Sequence, residues 1–281
     1  MTLTGRDIRQ LLDDAGIRPS RALGQNFVTD PNTVRRIATL AGVGPGSRVL
    51  EIGAGLGSLT TALAETGARV VAVEVDRRLL EVLRGVVEPL GVEVVAGDAL
   101  RMDLAGLLRG AGDDDAAGAG SWTLVGNLPY NVAVPVVIRV LDEVPAVSEL
   151  LVMVQREVGE RLAAPVGSRC YGAVSVKVAY HASAETVGRV PPTVFVPRPK
   201  VESVLVKMVR RHRVAVPPEL VGPERLFSVV RAGFAQRRKM LRRSLAGVVP
   251  ASAFAAAGID ERARAEELSV EEWGRLAAWS V

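Results

Sequence analysis

Five short apolar runs, each with a glycine, an acid or an amide at or near its end, constrain the fold more than any other feature. They are "SRVLEIG" (47–53), "ARVVAVEV" (68–75), "VEVVAGDAL" (92–100), "WTLVGN" (122–127) and "ELLVMVQ" (149–155). Segments of helical period follow four of them: 59–67, 77–90, "VPVVIRVLDEV" and "REVGERLAA". Such alternation predicts an α/β fold with a mostly parallel, doubly wound sheet. Near-continuous β-branched runs suit strands covered on both faces. Residues 171–211 show strand-like runs broken by prolines and no long helix, which predicts an antiparallel edge. From about Pro217 the chain turns helical and basic. The expected division is therefore 1–212, a ligand-binding catalytic domain with an N-terminal extension, and 213–281, a small C-terminal helical domain.

In open parallel sheets, ligands sit at the carboxyl ends of strands. The first turn, "EIGAGLGSL", carries Gly53, Gly55 and Gly57, which permit a tight turn and close approach to a ligand. A plain strand-to-helix turn would also use them. Glu74 ends the second run, where it can accept from both ribose hydroxyls of an adenosine-bearing cofactor. Asp98 ends the third, where it can accept from an adenine amine. Each acid alone fits a capping role, whereas three successive strand ends together make a cofactor site. The spacing departs from the dinucleotide fingerprint, because the sixth position is Ser58 and the third glycine comes one residue early. It resembles the first motif of class I, Rossmann-like, S-adenosylmethionine-dependent methyltransferases. The dinucleotide reading stays open as the minority alternative.

The fourth run stops at Asn127-Leu128-Pro129-Tyr130. That tetrapeptide resembles the motif of methyltransferases acting on exocyclic amines. The Asn127 side-chain oxygen can accept one N6–H of adenine. The Leu128 carbonyl can accept the other, with Pro129 fixing the turn and Tyr130 offering a ring for stacking. Two acceptors favour positive charge building on nitrogen. Neither a metal nor a strong base is required. Asn and Pro are also common turn residues, so the tetrapeptide alone fits a strand terminator.

Residues 225–243 hold seven basic groups and no acid, within a chain of net charge +4. That density suits a polyanion, although a solvated helix face is the ordinary alternative. Cys170 is the single cysteine, which excludes a disulfide framework and a cysteine-built zinc site. The N-terminus has acids and no apolar core of a signal peptide, and no apolar run is long enough to cross a bilayer. A cytoplasmic protein is expected. The acidic stretch "GAGDDDAAGAG" (110–120) reads as a mobile surface insertion.

"RALGQNFVTDP" (21–31), "EIGAGLG", "GNLPYN", "VPPTVFVPRPKVESV" (190–204) and "FAQRRKMLRRSL" (234–245) occur in this order. Together they resemble the KsgA/RsmA family of small-subunit ribosomal RNA adenine dimethyltransferases. The resemblance runs from about Arg21 to the C-terminus. It implies dimethylation at N6 of two adjacent adenines near the 3′ end of 16S rRNA, late in small-subunit assembly, by a chain acting as a monomer. It further implies that Asn26, Val28, Gly53, Gly55, Glu74, Asp98 and Asn127 hold S-adenosylmethionine. Ala99 and Leu100 would lie near its adenine. Phe195 would stack on the flipped base opposite Tyr130, a core aromatic being the alternative. Gln25 would shape the pocket. A "QRRKMLRR" helix would present Arg237, Arg238, Lys239, Arg242 and Arg243 to rRNA phosphates. Val28 stands where leucine is usual in the family. Rival readings are an Erm-type enzyme acting on 23S rRNA, a DNA adenine methyltransferase, an assembly factor that acts by occupancy, and a non-catalytic RNA-binding relative.

Overall fold

The computed structural model describes residues 2–20, 23–111, 121–129 and 131–279. In chain order the elements are α1 (Gly5–Asp14), β1 (Phe27–Val28), α2 (Pro31–Ala41), β2 (Arg48–Ile52), α3 (Ser58–Ala64), β3 (Arg69–Glu74), α4 (Arg77–Val87), β4 (Glu93–Ala96) and α5 (Leu104–Gly110). There follow β5 (Trp122–Asn127), α6 (Ala133–Glu143), β6 (Val147–Gln155), α7 (Arg156–Leu162), α8 (Ala173–His181), β7 (Ala182–Val190), β8 (Phe195–Val196) and β9 (Ser203–Arg210). The chain closes with α9 (Pro223–Ala235), α10 (Leu241–Ser244), α11 (Ser252–Ala257) and α12 (Val270–Ala277). The expected insertion at 110–120 lies, from residue 112 on, outside the described residues.

Seven strands form one sheet in the order β4-β3-β2-β5-β6-β9-β7. β2, β3, β4, β5 and β6 pair in parallel, with Leu50 between Val71 and Leu124. β9 runs antiparallel to β6, so the expected parallel sheet with an antiparallel edge is what forms. Val70, Val71, Ala72 and Val73 are all buried, as strands covered on both faces must be. Parallel strands put all their carboxyl ends on one side, and Ile52, Glu74, Ala96 and Asn127 therefore end at a common edge.

Two compact units are present. The first comprises Met1–Gly159 with Glu185–Val209, and the second Glu160–Ala184 with Arg210–Val281. This differs from a single boundary after residue 212, because residues 160–184 join the helical unit. Within them lies α8, where the sequence reading expected no long helix. Val174, Val176 and Val178 alternate with Ser175, Lys177 and Ala179, a period of two that mimics a strand. Packing overrides it: Val176 and Tyr180, one helical turn apart, enter the core of the second unit. The Tyr180 ring meets Phe227 edge-on at 5.2 Å. Ser175 closes the start of α8 by accepting from Gly172 N–H (3.0 Å) and donating to the Arg161 carbonyl (2.6 Å).

The second unit's core is built from α8, α9, α11 and α12 around Leu226, Val230 and the fully buried Trp273. Gly233 allows that packing, since a Cβ there would stand 2.4 Å from the Trp273 ring. The expected "QRRKMLRR" helix does not form. α9 stops at Ala235, residues 236–238 are turn, residue 239 is a bend, and α10 has four residues. Met240 instead bridges to Arg264, a pairing that the continuous helix would forbid.

Candidate active site

A cleft opens at the carboxyl edge of β2, β3 and β5. Leu23–Val28, Gly53–Leu56, Glu74, Asn127 and Pro129 are among its lining residues. The structure thus brings together Asn26, Val28, Gly53, Gly55, Glu74 and Asn127, six of the seven residues expected to hold a cofactor. Asp98 does not line the cleft. β4 ends at Ala96 rather than at residue 100, and Asp98 belongs to the following turn. There it accepts from the Leu100 N–H (2.9 Å), with Arg101 at 3.5 Å. Arg139 on α6 braces the same turn, donating to the carbonyls of Ala99 (2.6 Å) and Met102 (2.9 Å).

The glycine turn works as a cradle. Gly53 and Gly55 have φ of 79° and 61°, the left-handed region where a side chain is strained. A Cβ on Gly55 would also press on the Phe27 ring at 3.1 Å. Glu74 locks this turn to the end of β3. One carboxylate oxygen accepts from Gly55 N–H (2.8 Å), and the other from Val75 (2.9 Å) and Asp76 (2.8 Å). Burial raises its pKa, and those three N–H groups pull the other way. Oε1 is filled by two donors, whereas Oε2 keeps capacity for one more.

Two polar atoms at the base of the cleft lack partners: Glu51 Oε2 and Ser58 Oγ are buried with no hydrogen bond. Burial pushes the Glu51 carboxyl up to about 8; the Thr60 hydroxyl opposes this and the Glu74 charge adds to it. Glu51 therefore carries its proton at neutral pH. Sequence reasoning placed Glu51 before the glycine turn and gave it no role, since β2 reads as a continuous apolar run around it.

The N-terminal segment closes one side. Gln25 donates from Nε2 to Asp76 Oδ2 (2.8 Å) and accepts from Ser20 N–H (2.7 Å). Asp76 caps α4 through Arg78 N–H, and the Arg78 guanidinium holds its carboxyl down to about 2. Phe27 pairs with Val196 and Val28 with Phe195 in a short antiparallel ladder. α1 lies behind, with Ile8 and Leu12 packed against Phe27, Leu56 and Leu79. Each of those two side chains contributes roughly 1.5–3 kcal/mol by leaving water.

At the end of β5, Asn127 donates from Nδ2 to the Asn26 carbonyl (2.9 Å). Leu128 is fully buried, and its N–H donates to Met153 O (3.1 Å), which stops the strand in register with β6. Pro129 lines the cleft; Tyr130 lies outside the described residues. Phe195 does not face the cleft. It is 3% exposed and belongs to the apolar cluster of Val28, Val190 and Leu205.

In the second unit the expected basic residues divide. Arg237 is engaged internally, with Glu266 at 3.5 Å and Ser168 O at 3.3 Å, and Arg242 pairs with Glu261 at 2.9 Å. Arg238, Lys239 and Arg243 are exposed, with no ion pair among the described residues. Among the described residues no cluster of three or more metal-ligating side chains occurs, and no helix is long and apolar enough to cross a membrane.

Residues 18–280 match the sequence model of the family described as ribosomal RNA adenine dimethylase. The ribosomal RNA small subunit methyltransferase A of Kineococcus radiotolerans is 47% identical, over 98% of this chain and 91% of its own. The crystal structure of the 23S rRNA methyltransferase ErmE is similar over 89% of this chain and 98% of its own, at a TM-score of 0.69 and 26% identity. A dimethyladenosine transferase from Plasmodium falciparum shares the fold at a TM-score of 0.72, 22% identical over 89% of this chain and 95% of its own.

Proposed function

The chain belongs to the ribosomal RNA adenine dimethylase family, and from that premise we propose that it dimethylates N6 of two adjacent adenines near the 3′ end of 16S rRNA. S-adenosylmethionine is the methyl donor, and the small subunit late in its assembly is the substrate. The observation that carries this reading is the placement of the Asn127 amide at the end of β5, beside the Gly53–Gly55 turn and Glu74. The small-subunit assignment is supported by the relative at 47% identity, a ribosomal RNA small subunit methyltransferase A.

The cleft suits the donor on the chemistry of its walls. Gly53 and Gly55 keep the turn free of side chains. Glu51 and Ser58, which line it, each hold a buried polar atom without a partner. Glu74 offers spare acceptor capacity to a ribose hydroxyl. When bound, the donor supplies an electrophilic methyl group on a sulfonium.

The rest is done by this chain's own residues. The target base leaves its stack to reach the strand end. Asn127 Oδ1 and the Leu128 carbonyl accept the two N6–H bonds and hold the amine in line for attack. As nitrogen gains positive charge, those two acceptors strengthen their hold, which lowers the barrier. The product ammonium loses its extra proton readily to water. Tyr130 carries the stacking role that the motif implies. Arg238, Lys239 and Arg243 contact rRNA phosphates.

The test is methyl transfer from labelled S-adenosylmethionine to small subunits lacking the modification, naked 16S rRNA, large subunits and 23S rRNA. N6,N6-dimethyladenosine only in small subunits is the expected result. Label on 23S rRNA would move the chain to the Erm-type activity. No transfer to any RNA, with subunit binding intact, would leave only an assembly role.

A further inference from the structure

The Asn127 side chain is tied down from the opposite end of the unit. Its Nδ2 lies 2.9 Å from the backbone carbonyl of Asn26, across 101 residues of sequence. A carbonyl only accepts, so the atom facing it must be the amide's nitrogen. No described residue donates to Asn127 Oδ1. An unrestrained asparagine amide is roughly two-fold about its last torsion. It would present nitrogen as readily as oxygen, and nitrogen cannot accept an amine's N–H.

We infer that the Asn26 carbonyl is a positioning group, which holds the Asn127 amide with Oδ1 turned away from it as the acceptor for the target amine. This rests on the reading of Asn127 as the N6 acceptor. The carbonyl itself is fixed from both sides. Before it, Gln25 is latched to Asp76 and to Ser20 N–H, and Asn26 Nδ2 donates to Gly24 O (3.0 Å). After it, Phe27 and Val28 pair with β8, and Thr29 N–H donates to Val194 O (2.7 Å). Gly24 sits against the strand-end corner; a Cβ there would meet Pro129 Cβ at 3.2 Å. The N-terminal segment thus sets the polarity of the acceptor as well as walling the cleft.

The test is Asn127→Asp, followed by single-turnover methyl transfer from pH 5.5 to 8.5, normalised to wild type at each pH. An ionised carboxylate in place of the amide keeps an acceptor but cannot donate to the Asn26 carbonyl, whose oxygen repels it. A protonated carboxyl donates with one oxygen and accepts with the other. The Asn127→Asp to wild-type ratio is therefore expected to rise as pH falls, by about tenfold per unit above the carboxyl's own pKa. A flat ratio overturns the inference. A second readout needs no change at position 127. One Asn127 Nδ2 proton is expected to exchange with solvent at least about tenfold more slowly in the wild type than in Gln25→Ala. Equal exchange also overturns it.

Failure of the functional reading looks different. In that case the wild type modifies no adenine, or Asn127→Ala turns over normally. An active wild type, an inactive Asn127→Ala and a flat Asn127→Asp ratio sink the positioning role alone.

Discussion

Glu74 Oε2 accepts the backbone N–H of Gly55 at 2.8 Å, so the last residue of one strand holds the glycine turn that follows its neighbour. The contact joins the cleft's floor to its side wall. It also makes Glu74 an organiser of the turn before any ligand arrives, because its other oxygen already receives Val75 and Asp76 N–H.

Glu74→Gln tests this. A glutamine has one acceptor oxygen, so either Gly55 or the Val75–Asp76 pair would face an amide nitrogen. A buried donor left unpaired costs about 1–3 kcal/mol. The variant is expected to melt several degrees lower and to bind S-adenosylmethionine at least about tenfold more weakly, read by thermal melts and calorimetric titration. Wild-type affinity would show that the turn holds itself.

Gln25→Ala separates the latch from the floor. It removes a hydrogen bond to the ionised Asp76, a contact worth roughly 1.5–3 kcal/mol. If that loss passes in full to the bound state, cofactor affinity should fall by about tenfold or more, while Asp76 keeps Arg78 and its cap on α4. Asp76→Ala should match it in affinity and exceed it in lost stability, because it also removes the side chain that caps α4. Identical melting of the two variants would mean that the cap on α4 contributes nothing.

What was legible follows from what leaves a local trace. Strand ends did: Gly53, Glu74 and Asn127 each close an apolar run, and the sheet brings them to one edge. The latch from Gln25 to Asp76 spans 51 residues and leaves no periodicity behind it. α8 was hidden by valines at a period of two, and only the apolar interior of the second unit decides against a strand. Phe195 sits in a motif that resembles a substrate-contacting one, and its burial beside Val28 came from a strand pairing that the sequence did not announce. The motif identifies neighbours in sequence; the side chain's direction depends on which strand it joins.

Glu51→Gln is expected to make stability less dependent on pH. The folded state keeps the Glu51 proton up to about pH 8, while the unfolded chain loses it near 4.5. Its contribution is therefore complete below about pH 4.5 and is lost as pH rises to about 8, by no more than about 5 kcal/mol. Urea unfolding at pH 5 and pH 8.5 should show a smaller drop for the glutamine variant than for wild type. Equal drops would place the Glu51 titration at an ordinary carboxylate value.

The basic run offers a sharper contrast than its sequence does. Arg238, Lys239 and Arg243 are exposed and unpaired among the described residues, whereas Arg237 is spent on Glu266 and Ser168 O. Reversing Arg238 and Arg243 to Glu should leave the melting temperature nearly unchanged, weaken binding to small subunits and flatten its dependence on salt, since fewer counterions are released. Arg237→Glu should instead lower the melting temperature, because it sets a second carboxylate beside Glu266. Binding across a salt series, paired with thermal melts, separates the two. If Arg238→Glu/Arg243→Glu binds as wild type does at every salt concentration, phosphate contact belongs to another face of the protein.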